Sequence, residues 1–186
     1  MKEKLTVVEY GTTVLRQKGA KITTFDKALR DFADAMVEAM HEDKGIGLAA
    51  QQVGRAEMIC TIDIGGTDEN ETQFTLDAKN LPLKLIMPLV LVNPIVKLSK
   101  GETVWFNEGC LSFPGIRADI ERPEALTVRY QDLDGVEHIL ACAGLLARVI
   151  QHETDHLNGI LFIDRAPKRT LKKIWNDLEE LRAKNQ

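Results

Sequence analysis

The sequence predicts an α+β fold, with a helix near each end of the chain and antiparallel strands between them. Leu29, Phe32, Met36 and Met40 recur at helical spacing behind the start signal Thr23-Thr24-Phe25-Asp26. Leu171, Ile174, Trp175, Leu178 and Leu181 do the same over about 170–184 and predict one apolar face. Short apolar runs bounded by turn residues fill the middle of the chain. That arrangement indicates α+β rather than a doubly wound sheet.

Taken in order, Lys44-Gly45 terminates the first helix. Glu57–Ile64 reads as a strand, and Leu89–Lys97 as a second with Asn93-Pro94 as an edge or a bend. Thr103–Phe106, Ala125–Asp132 and Val136–Ala143 come next, the last two joined by the hairpin turn Asp132-Leu133-Asp134-Gly135. A helix then runs from Gly144 to the stop signal Asn158-Gly159, and the apolar run Ile160–Asp164 packs locally behind it.

Composition narrows the function classes. A chain of 186 residues with 44% apolar content supports one catalytic domain spanning 1–186. No run approaches 18 apolar residues, so no membrane span is expected. Met1-Lys2-Glu3-Lys4-Leu5-Thr6 lacks the apolar core of a secretory signal, and three cysteines form no disulfide framework. Both point to a reducing, cytoplasmic setting. A net charge of −4 leaves no general footprint for nucleic acid, and sequence-specific binding to it is not expected.

The chemistry concentrates in His152-Glu153-Thr154-Asp155-His156. Two imidazoles four residues apart project from one helix face, so both can bind one metal ion. Leu145, Val149, His152 and His156 share a stripe that Leu146, Ile150 and Leu157 widen, which turns the histidines inward. Buried imidazoles need partners, and a metal satisfies two at once. Glu153 beside them can take a proton from metal-bound water. A surface helix with a polar Glu-Thr-Asp face is the plainer alternative. Catalytic sites of this kind use three protein ligands plus water. Glu179 and Glu180 lie more than 20 residues beyond His156 and keep a zinc-peptidase arrangement open, while no third histidine comes after it.

Two upstream segments accompany that helix: Gly45-Ile46-Gly47-Leu48-Ala49-Ala50-Gln51-Gln52 and Glu108-Gly109-Cys110-Leu111-Ser112. In order, the three match G-x-G-L-A-A-x-Q, E-G-C-L-S and H-E-x-D-H, and the chain thereby resembles the bacterial-type, metal-dependent peptide deformylases. The likeness extends from Val14-Leu15-Arg16 to Leu161-Phe162-Ile163-Asp164. The resemblance implies strands packed around a central metal-binding helix. It also implies a hydrolase that removes the formyl group from N-formylmethionyl nascent polypeptides and releases formate. Metal-bound water would be the nucleophile and Glu153 the general base. Fe²⁺ is the implied metal in the cell, although one thiolate and two imidazoles also accept Zn²⁺, Ni²⁺ or Co²⁺.

The motifs make chemical sense beside the resemblance. Cys110 supplies a thiolate that, with His152 and His156, leaves one tetrahedral position for water. Cys60 and Cys142 sit in apolar runs and read as small buried hydrophobes, whereas Cys110 comes after a glycine that predicts a strained bend. The Leu111 N–H and the Gln52 side-chain amide can both donate to an oxygen held at the metal. Gly45–Gln52 is partly a helix stop running into a strand, but Gly47 and Gly109 further suggest close approach of a substrate backbone. Ile46, Phe106, Leu145 and Val149 match positions that line the methionine pocket in the family, and Arg117 one that helps hold the peptide. Glu108 and Asp155 are both candidates to receive the second N–H of a ligating histidine, and Arg122 reads as structural.

Residues 65–89 depart from the family pattern. The first part is acidic and loop-like, and Leu81–Met87 is too apolar to hang free, so a hairpin or flap is expected over the cleft or the first sheet. A plain surface insertion and a functional lid both remain open. Lys168, Arg169, Lys172 and Lys173 make one side of the last helix basic, either as a solvated face or as a contact with the ribosome. A monomer is the default. An internal-bond zinc peptidase would not need Cys110 or Gln52, and an inactive metal-bearing binding module would not be expected to keep Glu153 and Gln52.

Overall fold

The computed structural model describes residues 4–66 and 73–185. Helix α1 (Lys27–Glu42) begins where the Asp26 side chain accepts a hydrogen bond from the Leu29 N–H at 3.0 Å, which satisfies one of the free donors of the first turn. Its stop falls at Lys44, which takes a left-handed φ of 56°. The strands are β1 (Gly47–Ala49), β2 (Ile59–Ile62), β3 (Phe74–Leu76), β4 (Leu89–Leu98), β5 (Thr103–Gly109), β6 (Arg117–Pro123), β7 (Ala125–Gln131) and β8 (Glu137–Ala143). Helices α2 (Gly144–Leu157), α3 (Phe162–Arg165) and α4 (Lys168–Lys184) complete the chain.

Six strands form one antiparallel sheet in the order β1-β2-β4-β7-β8-β3, and β5 pairs with β6 in a second. Alternation of side chains across the large sheet gives it two apolar faces. Ile59 and Val92 meet Phe32, Met36 and Met40 of α1, while Ile62, Leu91, Val128 and Leu140 meet Leu146, Ile150 and Leu157 of α2. Each fully buried leucine or isoleucine there contributes roughly 1.5–3 kcal/mol. A third core joins Ile120 of the small sheet to Leu15, Phe113, Phe162, Leu178 and Leu181. Helix α2 is thereby enclosed, and every residue from Leu146 to Leu157 is buried, the charged ones included. Among the described residues, no helix is long and apolar enough to cross a membrane.

Several local expectations are corrected. Strand β6 carries Ala118, Ile120 and Arg122 on its buried side, so a charged residue fills an inward position and breaks the apolar alternation. Strand β5 runs on through Glu108 to Gly109, which pairs with Arg117 and has no left-handed φ, so the strained glycine bend before Cys110 is absent. The Arg117 side chain lies over Gly109, where a Cβ would stand 2.8 Å from Nη1 and the guanidinium would have to shift. The strand expected over Glu57–Ile64 shortens to β2. Asn93-Pro94 is a bend in an interior strand, not an edge. Asn93 takes φ 51° at a register shift between Val92 and Ile95, and its side chain exchanges hydrogen bonds with the Ile22 backbone. Trp175 is 56% exposed rather than inward, because only Leu178 and Leu181 of α4 are fully packed against the body.

The acidic stretch 67–72 lies outside the described residues. The segment from Phe74 onward extends the sheet: β3 adds to β8, Leu83 is buried, and Phe74, Leu76, Ile86 and Met87 pack on the first core. The turn after β3 is tied down by Asp77. It accepts from the Ile139 N–H at 2.9 Å and faces His138 Nδ1 at 2.8 Å, while His138 Nε2 lies 3.3 Å from Asp132. The hydrogen bond to Asp77 raises the His138 pKa, burial opposes it, and Asp132 adds to it. A histidine raised in the folded state stabilises fully below its ordinary value near 6.5 and loses that contribution as pH climbs through the folded value. The stability advantage of the native chain over His138→Gln should therefore be fully present below about pH 6.5 and shrink as pH rises beyond it. Urea unfolding of both chains across that range checks this, and a difference independent of pH would show that the ring does not clamp the turn.

Candidate active site

Three motifs far apart in the chain converge on one face of α2. Cys110 comes directly after β5, His152 and His156 stand one turn apart on α2, and Gln52 sits just beyond β1. The donor atoms of Cys110, His152 and His156 all lie within 4.8 Å of one another, and Cys110 Sγ is 3.3 Å from His156 Nε2. Ligands at ordinary zinc or iron distances around one tetrahedral ion are separated by about 3.5 Å, so the sulfur and two nitrogens suit a single divalent cation. Cys60 and Cys142 lie elsewhere in the core, where burial pushes the Cys60 thiol well up and that of Cys142 up to about 12. Both behave as small hydrophobes, as expected. Glu179 and Glu180 are on exposed turns of α4 and take no part.

The tautomer of His152 is set by its neighbour. Its Nδ1 lies 3.0 Å from Glu108 Oε2. Burial works against ionisation of Glu108, but hydrogen bonds from His152 and Arg122 outweigh it and hold the carboxyl well below the ordinary range. An ionised carboxylate only accepts, so Nδ1 carries a proton, and Nε2 is the ring nitrogen left to a metal ion, which would displace any proton from it. Asp155, the other candidate for this task, meets neither histidine. It accepts from Arg122 Nη1 at 2.7 Å and Arg165 Nη2 at 2.7 Å. Arg122 is structural as expected, linking Glu108 and Asp155 while almost wholly buried.

Glu153 is buried, and its Oε2 has no hydrogen-bond partner among the described residues. Burial pushes its pKa up to about 7, with His152 and Arg122 restraining the rise. A carboxyl so placed exchanges protons near neutrality, and a bound dication would draw its value down. Gly47 makes room for it: a Cβ there would overlap Glu153 Oε1 and stand 2.9 Å from Val149 Cγ1. Gln52 is held by its own oxygen, which accepts from the Ala49 N–H at 2.8 Å, leaving Nε2 directed at Cys110 Sγ and Ser112 Oγ at 3.4 Å each. The Leu111 N–H has no acceptor among the described residues.

A cleft of about 800 Å³ opens over these groups. Ile46, Gly47, Gln52, Phe106, Gly109, Cys110, Leu111, Arg117, Leu145, Val149, His152 and Glu153 all line it, so the residues expected at the site meet there, with His156 buried behind them. Arg117 folds back on β5, where its Nε donates to Asn107 Oδ1 at 2.8 Å. None of the described residues of 65–89 reaches the cleft, so the expectation of a lid over it finds no support in them. Two groups escaped the sequence reading. Thr6, Val7 and Glu9 form one wall from an irregular segment that carries no pattern. Arg148 was legible, since it precedes His152 by one helical turn and must share its face.

Comparison with known proteins agrees with this geometry. The profile of the family described as Polypeptide deformylase matches residues 4–172. A peptide deformylase of Opitutus terrae is 51% identical over 178 residues, covering 95% of this chain and 92% of that protein. The crystal structure of Arabidopsis thaliana peptide deformylase 1B in complex with an inhibitor superposes with a TM-score of 0.82 at 36% identity, covering 96% of this chain and 90% of that one. Peptide deformylase from Thermotoga maritima gives 0.75 at 34% identity, covering 89% and 99%. With the full set of three motifs gathered around one cleft, the chain belongs to the peptide deformylase family, metal-dependent hydrolases that remove the formyl group from N-formylmethionyl peptides.

Proposed function

We propose that the whole chain is one catalytic unit in which Cys110, His152 and His156 hold a single Fe²⁺ ion, with Zn²⁺, Ni²⁺ or Co²⁺ able to replace it. The observation that carries this reading is the meeting of one sulfur and two imidazole nitrogens within 4.8 Å, Cys110 and His152 lining the cleft beside Glu153 and Gln52 and His156 directly behind them. A dication held there supplies Lewis acidity and makes water a usable nucleophile near neutral pH.

The protein's own groups do the rest. Ile46, Phe106, Leu145 and Val149 receive the unbranched methionine side chain, which buries well among apolar walls. Arg117 and the β1 edge near Gly47 hold the peptide backbone. Glu153 takes the proton of the attacking water as its oxygen bonds to the formyl carbon. The Gln52 amide and the Leu111 N–H donate to the carbonyl oxygen as charge builds on it. The C–N bond then breaks, Glu153 delivers the proton to the leaving nitrogen, and formate departs from a free amino terminus.

A cytoplasmic monomer working on nascent chains fits this role. Lys168, Lys172 and Trp175 border a shallow surface groove on α4, and the basic start of that helix suits contact with ribosomal RNA near the exit of new chains. Purified protein should release one formate per free amine from formyl-Met-Ala-Ser and leave casein intact. Internal cleavage of casein without formate would replace this reading with a peptidase.

Metal content and turnover separate the roles. Cys110→Ala should lose stoichiometric metal together with activity, while Cys60→Ala and Cys142→Ala retain both. Glu153→Gln should keep its metal and lose about 10²-fold or more in kcat. Elemental analysis beside steady-state kinetics decides it: full metal occupancy in Cys110→Ala removes the thiolate from the site, and loss of metal in Glu153→Gln makes that carboxylate a ligand.

A further inference from the structure

The cleft draws its chemistry from two separate layers. His152, Glu153 and His156 belong to α2, whereas Phe106 and Glu108 are carried by β5, with Cys110 just beyond its end. Arg148 ties these layers together at the level of Phe106. It is buried on α2, one turn before His152. Its Nη2 donates to the Val104 carbonyl at 2.6 Å, two residues before Phe106 on β5. Its Nη1 donates to Glu108 Oε1 at 2.9 Å, two residues after Phe106, and to the Ile120 carbonyl at 3.2 Å. Ile120 is the cross-strand partner of Phe106 in β6. The guanidinium carbon also lies 5.5 Å from the centre of the Phe106 ring.

Phe106 needs such a clamp. The residue is 47% exposed and lines the cleft, so little apolar packing fixes its rotamer. The β5–β6 pair is a two-stranded ribbon, which on its own is marginally stable and free to twist. Arginine suits the position because its planar fork serves several acceptors in fixed directions while its face lies against an aromatic ring. Lysine offers neither.

We propose that Arg148 is the positioning residue that sets side-chain selectivity in this enzyme. It fixes the Phe106 wall of the pocket relative to α2 through the Val104 and Ile120 carbonyls, Glu108 and the aromatic face. The proposal deepens the methionine-pocket assignment and rests on it. Arg148 itself stays out of the chemical step, since Arg122 also donates to both Glu108 oxygens and the Glu108–His152 bond is a separate contact.

The test compares metal-loaded native protein with Arg148→Met, which keeps length but loses every donor, and Arg148→Lys. Arg148→Gln takes the place of the Met variant should that chain fail to fold. Arg165→Met is the control, because Arg165 holds Asp155 from outside the cleft. Metal content, kcat and KM are measured on formyl-Met-Ala-Ser and formyl-Ala-Ala-Ser. The Arg148 variants should keep one metal ion, hold kcat within about threefold, raise KM for the methionyl peptide roughly tenfold and lower its preference over the alanyl peptide by a similar factor. Lysine should not rescue the preference, and Arg165→Met should retain it. An unchanged preference in Arg148→Met, or a fall in kcat with metal loss and preference intact, overturns the proposal. If the native protein itself does not distinguish the two peptides, the pocket assignment fails first.

Discussion

The carboxylate of Glu108 is buried in the middle of the molecule and is shared by two arginines and a histidine. Arg122 donates to both its oxygens at 2.7 and 3.1 Å, Arg148 to one, and His152 Nδ1 to the other. Isolated in an apolar interior, such a charge would be costly and would neutralise by binding a proton. Surrounded by donors it stays ionised; a buried charge left with no partner at all typically costs about 3–5 kcal/mol. The carboxylate comes from β5, Arg122 from β6, and Arg148 and His152 from α2, so a single anion fixes three elements to one another.

That constraint accounts for why a helix crowded with polar residues can run through the core. Arg148, Gln151, His152, Glu153, Thr154, Asp155 and His156 are all buried, yet nearly all their polar atoms have partners. Gln151 Nε2 donates to the Pro123 carbonyl at 2.9 Å, Thr154 to the Ile150 carbonyl at 2.7 Å, and Asp155 closes the far end through Arg122 and Arg165. Glu153 Oε2 and His156 Nδ1 are fully buried side-chain atoms of this helix without partners among the described residues. Glu153 thereby keeps one oxygen free to take a proton, and burial pushes its pKa up to about 7.

Much of this was legible in the sequence because the governing rules are local. Helical spacing placed His152 and His156 on one face and α1 on its apolar stripe, and the Asp26 cap and Gly159 stop came from single residues. The parts that stayed hidden depend on contacts distant in the chain. Strand β6 was missed because Arg122 occupies a buried position, and its partners Glu108 and Asp155 lie 14 and 33 residues away. The choice between Glu108 and Asp155 as the partner of His152 turned on how β5 packs against α2, which brings Glu108 Oε2 to 3.0 Å from His152 Nδ1. Gly109 suggested a bend by its type, whereas the pairing of β5 with β6 carries it as an ordinary strand residue opposite Arg117. The segment after 72 had enough apolar residues to predict burial, but not that it would dock on β8 as a sixth strand.

The central claim is that Glu108 orients His152 and so sets the strength of the metal site. It is tested most directly by the metal affinity of Glu108→Gln, measured by chelator competition on folded protein alongside the native chain. Loss of the carboxylate should weaken metal binding by about 10–100-fold, the usual cost of removing an outer partner of a ligating histidine. Native affinity in a folded Glu108→Gln chain would contradict the account and reduce the buried charge cluster to a structural tie.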